Sequence, residues 1–399
     1  PTGFGCVTYR GNAVDNREIS GFGFSPDLVW IKSRSDADHN YVQDSVRGAQ
    51  KQLITTEGGA ETSYTNGVKS FTPDGFTLGT SNWSNQNTET RVAWGWDMGG
   101  SDATNTTGTI TSTVRANPTY GQSIISWTGT GATGTVGTGL TSDAELVIVK
   151  NRDTTDNWSI STTVIDGSVD GGYLNNTGAF EDWSSRVDPS ASTSNTIGVY
   201  NWDDGNKSSS NMIGYAFHSV SGYSKISKYT GSGSTGNAVT TGFRPAFLLI
   251  KRNADEGWQI IDSTRNPLNT ATASLSPNST GAERTDLVDV DFTSTGFTLQ
   301  GTDASINASG STYLYYAVAG GMDSISDYNT TGSIDSRVKA NPTYGQSIVK
   351  YPTDSAEQTV GHGLSSAPEV VITKALGATS SWDTWFKSSR SKFNSFSCI

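Results

Sequence analysis

Residues 105–124 read NTTGTITSTVRANPTYGQSI, and residues 329–348 read NTTGSIDSRVKANPTYGQSI. Sixteen of the twenty aligned positions are identical, at an offset of 224 residues. A match this close indicates internal duplication, and self-similarity at a long period is typical of repeat architectures. The chain is therefore predicted to consist of related modules.

A second, looser repeat marks the individual modules. Each copy has an apolar run of four or five residues that ends in a lysine. The four stretches are GFSPDLVWIK at 23–32, GTGLTSDAELVIVK at 137–150, GFRPAFLLIK at 242–251 and GHGLSSAPEVVITK at 361–374. Their lysines, Lys32, Lys150, Lys251 and Lys374, are 118, 101 and 123 residues apart. Such a spacing indicates whole domains, because solenoid and propeller repeats are shorter.

These repeats predict three modules and part of a fourth. The predicted organisation is a first module at 1–100, a connector at 101–121, a second module at 122–222, a third module at 223–322, a connector at 323–344 and a partial fourth module at 345–399. The fourth module lacks a counterpart of the closing segment VAWGWDM at 92–98. We therefore expect that the chain continues beyond Ile399 or that another subunit completes this module.

The strand patterns predict an all-β fold. The apolar runs before the lysines are rich in β-branched residues and are short, which favours strands covered on both faces. The closing segment alternates instead, with Val92, Trp94, Trp96 and Met98 on one face, so we expect a half-buried strand. No stretch of ten or more residues has a helical stripe. The predicted fold is a series of tandem antiparallel β-sandwich modules, jelly-roll or lectin-like, with the last one incomplete.

Composition excludes several classes of function. The formal net charge is −11 and no cluster of lysine and arginine occurs, so the chain lacks the basic surface that nucleic-acid binding requires. No apolar run approaches the length of a membrane-spanning helix, and we expect no membrane insertion. Aromatic residues make up 10% of the chain, which is enough to build several small cores.

The sequence predicts no catalytic, cofactor-binding or metal-binding residues, and no cofactor. Two G-x-G-x-x-G matches are followed by extended, threonine-rich stretches, which favour hairpin loops because a dinucleotide site needs a helix there. The three histidines lie in different modules, far from ligand spacing. We expect that the protein is not an enzyme, although a glycosidase pair among its many carboxylates stays open. The glycines are Gly129, Gly131, Gly134, Gly231, Gly233 and Gly236, and the histidines are His39, His218 and His362.

Aspartate-rich turns leave one alternative open. They occur at 36–40, 153–157, 201–206 and 254–257. Calcium could bind their oxygen ligands, but none has the full EF-hand spacing. Aspartate and asparagine are ordinary turn formers, so plain turns are the preferred interpretation.

Three tryptophans lie in polar, loop-like surroundings: Trp83, Trp183 and Trp202. Each could plug the end of its own sandwich. An exposed indole could instead stack on a sugar, because its flat apolar face matches the C–H face of a pyranose ring.

The first module carries a resemblance to a known group of proteins. Its segments GFSPDLVWIKSRSD, YVQDSVRG, FTPDGFTLG and VAWGWDMGG resemble a module repeated in structural proteins of marine tailed phages, cyanophages especially. The match is clearest over 21–100 and recurs in part at 137–167, 242–301 and 361–389. The second module departs most, because WSISTTVIDG replaces the D-S-V-R-G element.

The resemblance implies a virion component and brings no catalytic residues with it. We expect a fibre-like appendage on the virion surface, such as a tail fibre, with adhesion to a host-surface glycan as a further role. Its expected partners are other virion subunits and copies of itself. The alternatives are a capsid decoration or cement protein and a secreted carbohydrate-binding protein.

Overall fold

The structure is a computed structural model that describes residues 3–183, 185–191, 195–320, 328–329, 331–334, 336–351, 358–375, 379, 381–387 and 393–398. Strands account for 44% of it and helix for 2%, and its sheets are antiparallel, which confirms the predicted all-β sandwich class. The chain divides into two compact units, Pro1–Asp323 and Ser324–Ile399. Within the described part of the chain, no helix has the length and apolarity needed to span a membrane.

The first module is a sandwich of a six-stranded and a three-stranded sheet. Its elements are β1 (Phe4–Arg10), β2 (Arg17–Ser20), β3 (Leu28–Ser33), β4 (Asn40–Asp44), β5 (Lys51–Ile54), β6 (Thr62–Ser63), β7 (Val68–Thr72), β8 (Gly75–Leu78), α1 (Asn82–Asn85) and β9 (Thr90–Trp96). The sheet orders are β1-β9-β3-β4-β5-β6 and β2-β8-β7. A two-residue turn, Pro73-Asp74, joins β7 to β8, because Thr72 pairs with Gly75.

The second module has the same plan with a larger sheet. Its strands are β10 (Ala103–Asn105), β11 (Ser112–Asn117), β12 (Gln122–Thr128), β13 (Gly134–Gly137), β14 (Leu146–Asn151), β15 (Ser159–Thr162), β16 (Asp170–Tyr173), β17 (Glu181–Asp182), β18 (Val187–Asp188), β19 (Thr196–Val199) and β20 (Asn211–Phe217). The orders are β10-β11-β12-β20-β14-β15-β16-β17 and β13-β19-β18. The segment predicted to be a connector, 101–121, contributes β10 and β11 to this sheet, because β11 pairs with β12 and β10 pairs with β11.

The third module has a four-stranded and a three-stranded sheet. Its elements are β21 (Ser224–Thr230), β22 (Asn237–Thr240), β23 (Phe247–Arg252), β24 (Gln259–Asp262), β25 (Val290–Thr293), β26 (Gly296–Leu299), α2 (Ala304–Asn307) and β27 (Thr312–Val318). The orders are β21-β27-β23-β24 and β22-β26-β25. The closing strands occupy equivalent places in the three modules: β9 lies between β1 and β3, β20 between β12 and β14, and β27 between β21 and β23.

Backbone contacts close the three modules into a ring. Each module bonds to the one before it through the turn that follows its lysine. The bonds run from Asp156 N to Gly58 O (2.9 Å), from Glu256 N to Thr177 O (2.9 Å) and from Asp38 N to Thr280 O (2.8 Å). Because the last bond joins the first module to the third, the series is circular.

The central strands of the larger sheets are buried on both faces as a result. In the first module, Val29 and Ile31 pack in the core between its own two sheets. Leu28 and Trp30, which alternate with them, pack in a second core that all three modules share. The sequence predicted this double coverage for the strand that ends in lysine, and the structure confirms it.

The prediction of a half-buried closing strand is wrong. Its alternation is correct, since Trp94 and Trp96 lie in the shared core and Ala93 lies in the core of the first module. However, every residue from Arg91 to Trp96 is buried. The other modules cover the aromatic face, and the Phe247 ring lies 5.6 Å from the Trp96 ring.

The unit Ser324–Ile399 repeats the first part of the second module. Its strands are β28 (Tyr328–Asn329), β29 (Ser336–Asn341), β30 (Gln346–Lys350), β31 (Val370–Thr373), β32 (Trp382–Lys387) and β33 (Phe393–Cys398). At the 224-residue offset they overlay β10, β11, β12, β14, β15 and β16, and β29–β30, β31–β32 and β32–β33 pair in the same register as their counterparts. They form two separate sheets, β28-β29-β30 and β31-β32-β33. Among the described residues of this unit, no strand corresponds to β20, which joins the equivalent strands of the second module.

Candidate functional site

A cleft between the first and second modules exposes Trp202. The cleft has a volume of 480 Å³ and is lined by the turns 155–157 and 201–204, Arg186 and Gly58. Its turns are two of the aspartate-rich segments that the sequence predicted to be plain loops. The indole of Trp202 is 45% exposed, so a ligand can reach it.

A tight turn holds Trp202 at the surface. The Trp202 carbonyl accepts hydrogen bonds from Gly205 N (3.0 Å) and Asn206 N (2.9 Å), and its own N–H donates to Tyr200 O (2.7 Å). Asn206 is fully buried and anchors the turn to the module through its side chain, which donates to Ala132 O at 2.6 Å. The polar sequence NWDDGN thus fixes the backbone and leaves the indole outside the core.

Arg186 connects this exposed indole to the interior. Its guanidinium carbon lies 4.2 Å from the ring centre of Trp202 and 4.7 Å from that of Trp183, which are cation–π distances. The same guanidinium donates to Asp204 Oδ2 at 3.0 Å and to the Tyr173 hydroxyl at 2.5 Å. Burial, followed by the charge of Asp204, raises the pKa of Tyr173, so its hydroxyl stays protonated at neutral pH.

The rim of the cleft is polar. Asp203 is exposed and pairs with Lys207 at 3.0 Å. The Asn157 side-chain oxygen accepts a bond from Asn175 (2.9 Å). Together with Asn201, these groups offer hydrogen-bond donors and acceptors beside a flat apolar face, which is the combination that a sugar ring with its hydroxyl groups requires.

The other two tryptophans pack against residues of their own modules. Trp83 is 40% exposed, but its ring stacks on Tyr41 at 5.6 Å and on Tyr64 at 4.6 Å. Trp183 is buried beneath Arg186 and against the backbone of Gly171, where an added Cβ would meet the indole at 1.9 Å. Trp83 and Trp183 therefore fit the packed interpretation, whereas Trp202 is exposed in this cleft.

The glycine motifs lie in loops that lead into strands. Gly134 begins β13, and Gly236 directly precedes β22, so neither motif opens a helix. Gly131 and Gly233 have φ values of +68° and +66°, a left-handed conformation that suits glycine. The predicted extended stretch after each motif is present, but the prediction of hairpin loops is wrong, because β12 and β13 lie in different sheets, as do β21 and β22.

The histidines and the aspartate-rich turns bond within their own surroundings. Each histidine ring contacts a nearby group: His39 contacts Thr56 (2.5 Å), His218 contacts Ser219 O (3.0 Å) and His362 contacts Leu364 N (3.1 Å). Carboxylates of the four turns accept protein donors: Asp38 from Arg91 (3.0 Å), Asp153 from Asn211 N (2.7 Å), Asp204 from Arg186 (3.0 Å) and Asp255 from Ala179 N (3.3 Å). These bonds favour the plain-turn interpretation.

The repeated lysines have a structural role that the sequence did not reveal. The ammonium groups of Lys32, Lys150 and Lys251 are buried and donate to loop carbonyls, such as Lys150 to Thr154 O at 3.1 Å. Burial lowers the pKa of each of the three to about 8. Each lysine therefore fixes the turn that contacts the preceding module.

A different group of carboxylates has the spacing of a cation site. Among the described residues, Asp166, Asp170 and Asp182 each place one oxygen within 4.8 Å of the others. Sequence reasoning missed them because Asp182 lies twelve residues beyond Asp170 and is brought beside it by the pairing of β16 with β17.

The family described as "Domain of unknown function (DUF7483)" matches this chain at residues 2–321 and again at 323–397. The boundary between the two matches, at residue 322, lies within two residues of the boundary between the two compact units, Asp323 and Ser324. No curated protein and no solved structure matches the chain.

Proposed function

The chain belongs to the DUF7483 family, and we propose that it is a structural protein of a phage virion, a fibre-like surface appendage that binds a host-surface glycan at the Trp202 cleft. The phage assignment is supported by the resemblance of the first module to virion proteins of marine phages. The glycan assignment is supported by one observation, the exposed indole of Trp202 above the guanidinium of Arg186.

The cleft presents two kinds of surface that suit a sugar ligand. A pyranose presents C–H groups on one face and hydroxyl groups around its edge. Trp202 offers an aromatic face for the former, and Asn201 and Asp203 offer polar groups for the latter. Because Arg186 holds the indole through a cation–π contact, little side-chain freedom remains to be lost on binding, which favours affinity.

Glycan-array binding of the full chain tests the adhesion proposal. Trp202→Ala removes the stacking face and is expected to weaken binding at least about tenfold, a loss of about 1.4 kcal/mol. Trp83→Ala is the matched control, because Trp83 has similar exposure but lies outside the cleft. Equal binding by Trp202→Ala and the unmodified chain would contradict the assignment of the cleft.

We also propose that copies of this chain associate through the unit Ser324–Ile399. Ile372 and Trp382 are 60% and 54% exposed, whereas their counterparts Ile148 and Trp158 are buried. Identical strand edges can pair antiparallel about a two-fold axis, which would satisfy backbone groups and bury these side chains. Sedimentation velocity of the full chain should show concentration-dependent association that Ile372→Asp weakens. A monomer at every concentration would contradict this proposal.

The position on the particle is a separate test. Labelled antibody against the unit Pro1–Asp323 should mark appendages on purified virions if the protein is fibre-like. Uniform labelling of the capsid would support the decoration or cement alternative instead. Glycan binding without any virion labelling would support a secreted carbohydrate-binding protein.

A further inference from the structure

Three aspartates meet at the outer edge of the second module's large sheet. Asp170 on β16 and Asp182 on β17 are directly paired in register, which places their side chains on the same face. Asp166, in the turn before β16, completes the group, and one oxygen of each carboxylate lies within 4.8 Å of the others. Like charges paired across two strands are destabilising unless a counter-charge lies between them.

The middle carboxylate of this group is buried and incompletely paired. Asp170 is 4% exposed, and its Oδ2 atom has no hydrogen-bond donor. Burial, followed by the charges of Asp166 and Asp182, raises the pKa of Asp170 to about 6. Lys228 is the cation whose charge acts on Asp170, but its ammonium group donates to Ile165 O. A buried carboxylate oxygen that lacks a donor costs free energy, and a bound cation would offset that cost.

We propose that Asp166, Asp170 and Asp182 bind a calcium ion. All three ligands are carboxylate oxygens, which hard divalent cations prefer. Ser168 adds a fourth oxygen to the group, since its hydroxyl lies 2.6 Å from Asp166 Oδ1 and 3.3 Å from Asp182 Oδ1.

The geometry favours Ca²⁺ over Mg²⁺. Oxygens up to 4.8 Å apart on three separate segments suit the longer bonds and variable coordination of Ca²⁺, whereas Mg²⁺ needs short, near-octahedral bonds. Asp166 and Asp182 are exposed, so the ion can enter from solvent and keep water ligands.

The calcium ion would fix the edge strand β17 to β16, and the chain leads from β17 to the Trp202 cleft. Asp182 directly precedes Trp183, and Trp183 packs on Gly171, the neighbour of Asp170. Arg186 stacks on both Trp183 and Trp202. A calcium ion between β16 and β17 therefore stabilises the base of that stack. The calcium proposal does not depend on glycan binding, because its readouts are ion binding and melting temperature.

The test is calcium titration of the chelator-treated full chain, with Tb³⁺ as a luminescent probe. Tb³⁺ should be sensitised by tryptophan, because Trp183 adjoins Asp182, and excess Ca²⁺ should displace it. Asp170→Asn and Asp182→Asn should each weaken binding at least about tenfold, because each removes a charged ligand. Asp188→Asn is the matched control: Asp188 accepts bonds from Ser190, as Asp166 does from Ser168, but lies outside the group.

Melting temperatures test the calcium proposal even if Ca²⁺ binds weakly. With chelator present, Asp170→Asn should melt higher than the unmodified chain, because it removes a buried charge beside two like charges. With Ca²⁺ in excess the order should reverse, because the unmodified chain binds the ion more tightly and gains more stability from it. The absence of a Ca²⁺-dependent shift in the unmodified chain, or a shift of equal size in Asp170→Asn, would overturn the proposal.

Discussion

The buried ion pair between Asp44 and Arg47 offers the sharpest test of how the modules are joined. Arg47 Nε donates to Asp44 Oδ2 at 2.5 Å, and its other nitrogens donate to Glu61 (3.2 Å) and Val42 O (3.1 Å). Tyr215 of the second module donates to the same Asp44 oxygen at 2.7 Å. Both charged side chains are fully buried. Burial opposes the guanidinium charge, yet Asp44, Tyr215 and Glu61 together raise the pKa of Arg47.

The second module provides an internal control for this pair. At the positions of Asp44 and Arg47 it has Thr162 and Ile165, as the register of β3–β4 and β14–β15 shows. Arg47→Ile alone leaves the Asp44 carboxylate buried without its counter-charge, which should cost about 3–5 kcal/mol of unfolding free energy. The double variant Asp44→Thr/Arg47→Ile removes both charges. It should cost only about 1–2 kcal/mol, mainly for the lost Tyr215 hydrogen bond.

Urea unfolding of the full chain, followed by tryptophan fluorescence, measures both variants. The double variant should have the higher midpoint of the two, and the denaturant slope should be unchanged if the native ring is retained. In the equivalent pair of the third module, Asp262 and Arg265, the Asp262 carboxylate accepts a hydrogen bond from Trp94 Nε1 at 3.0 Å, so this pair should behave in the same way. Two results would contradict this assignment. One is an unfolding free energy of Arg47→Ile within about 0.5 kcal/mol of that of the unmodified chain, and the other is a double variant as unstable as Arg47→Ile.

Further predictions follow from the packing. Gly171→Ala should lower the free energy of unfolding, measured in urea, by about 1–3 kcal/mol, because its Cβ would overlap the Trp183 indole. Gly172→Ala should be nearly neutral, because the nearest contact of its Cβ would be at 3.3 Å. The pKa of Lys150, lowered to about 8 by burial, lies below the unfolded value of about 10.4, so the unfolded chain binds more protons between these pH values. The urea midpoint should therefore rise with pH in that range and rise less in Lys150→Met; a slope unchanged by the substitution would contradict the assignment. Residues 122–222 expressed alone would expose the shared-core face of their sheet, so in thermal unfolding this fragment should be less stable than the full chain. A fragment of near-native stability would contradict the ring of modules.

Local pattern in the sequence was enough to predict the strands and their class. The run LVWIK forms strand β3, and the Pro73-Asp74 turn connects β7 to β8 as a hairpin. The alternation of the closing strand places Trp94 and Trp96 on one face. These features depend on a residue and its near neighbours, because side-chain direction in a strand repeats every two residues. The 224-residue repeat likewise matched strands of the last unit to those of the second module.

What covers each face was decided only by the tertiary structure. The sequence shows that Trp94 and Trp96 share a face, but not that Phe247 of another module packs against it. The sequence likewise contains Asp166, Asp170 and Asp182, but it does not show that they lie together. Asp182 comes beside Asp170 only through the pairing of β16 with β17. Contacts of this kind depend on which surfaces bury the most apolar area together, a property of the whole chain that no local pattern contains.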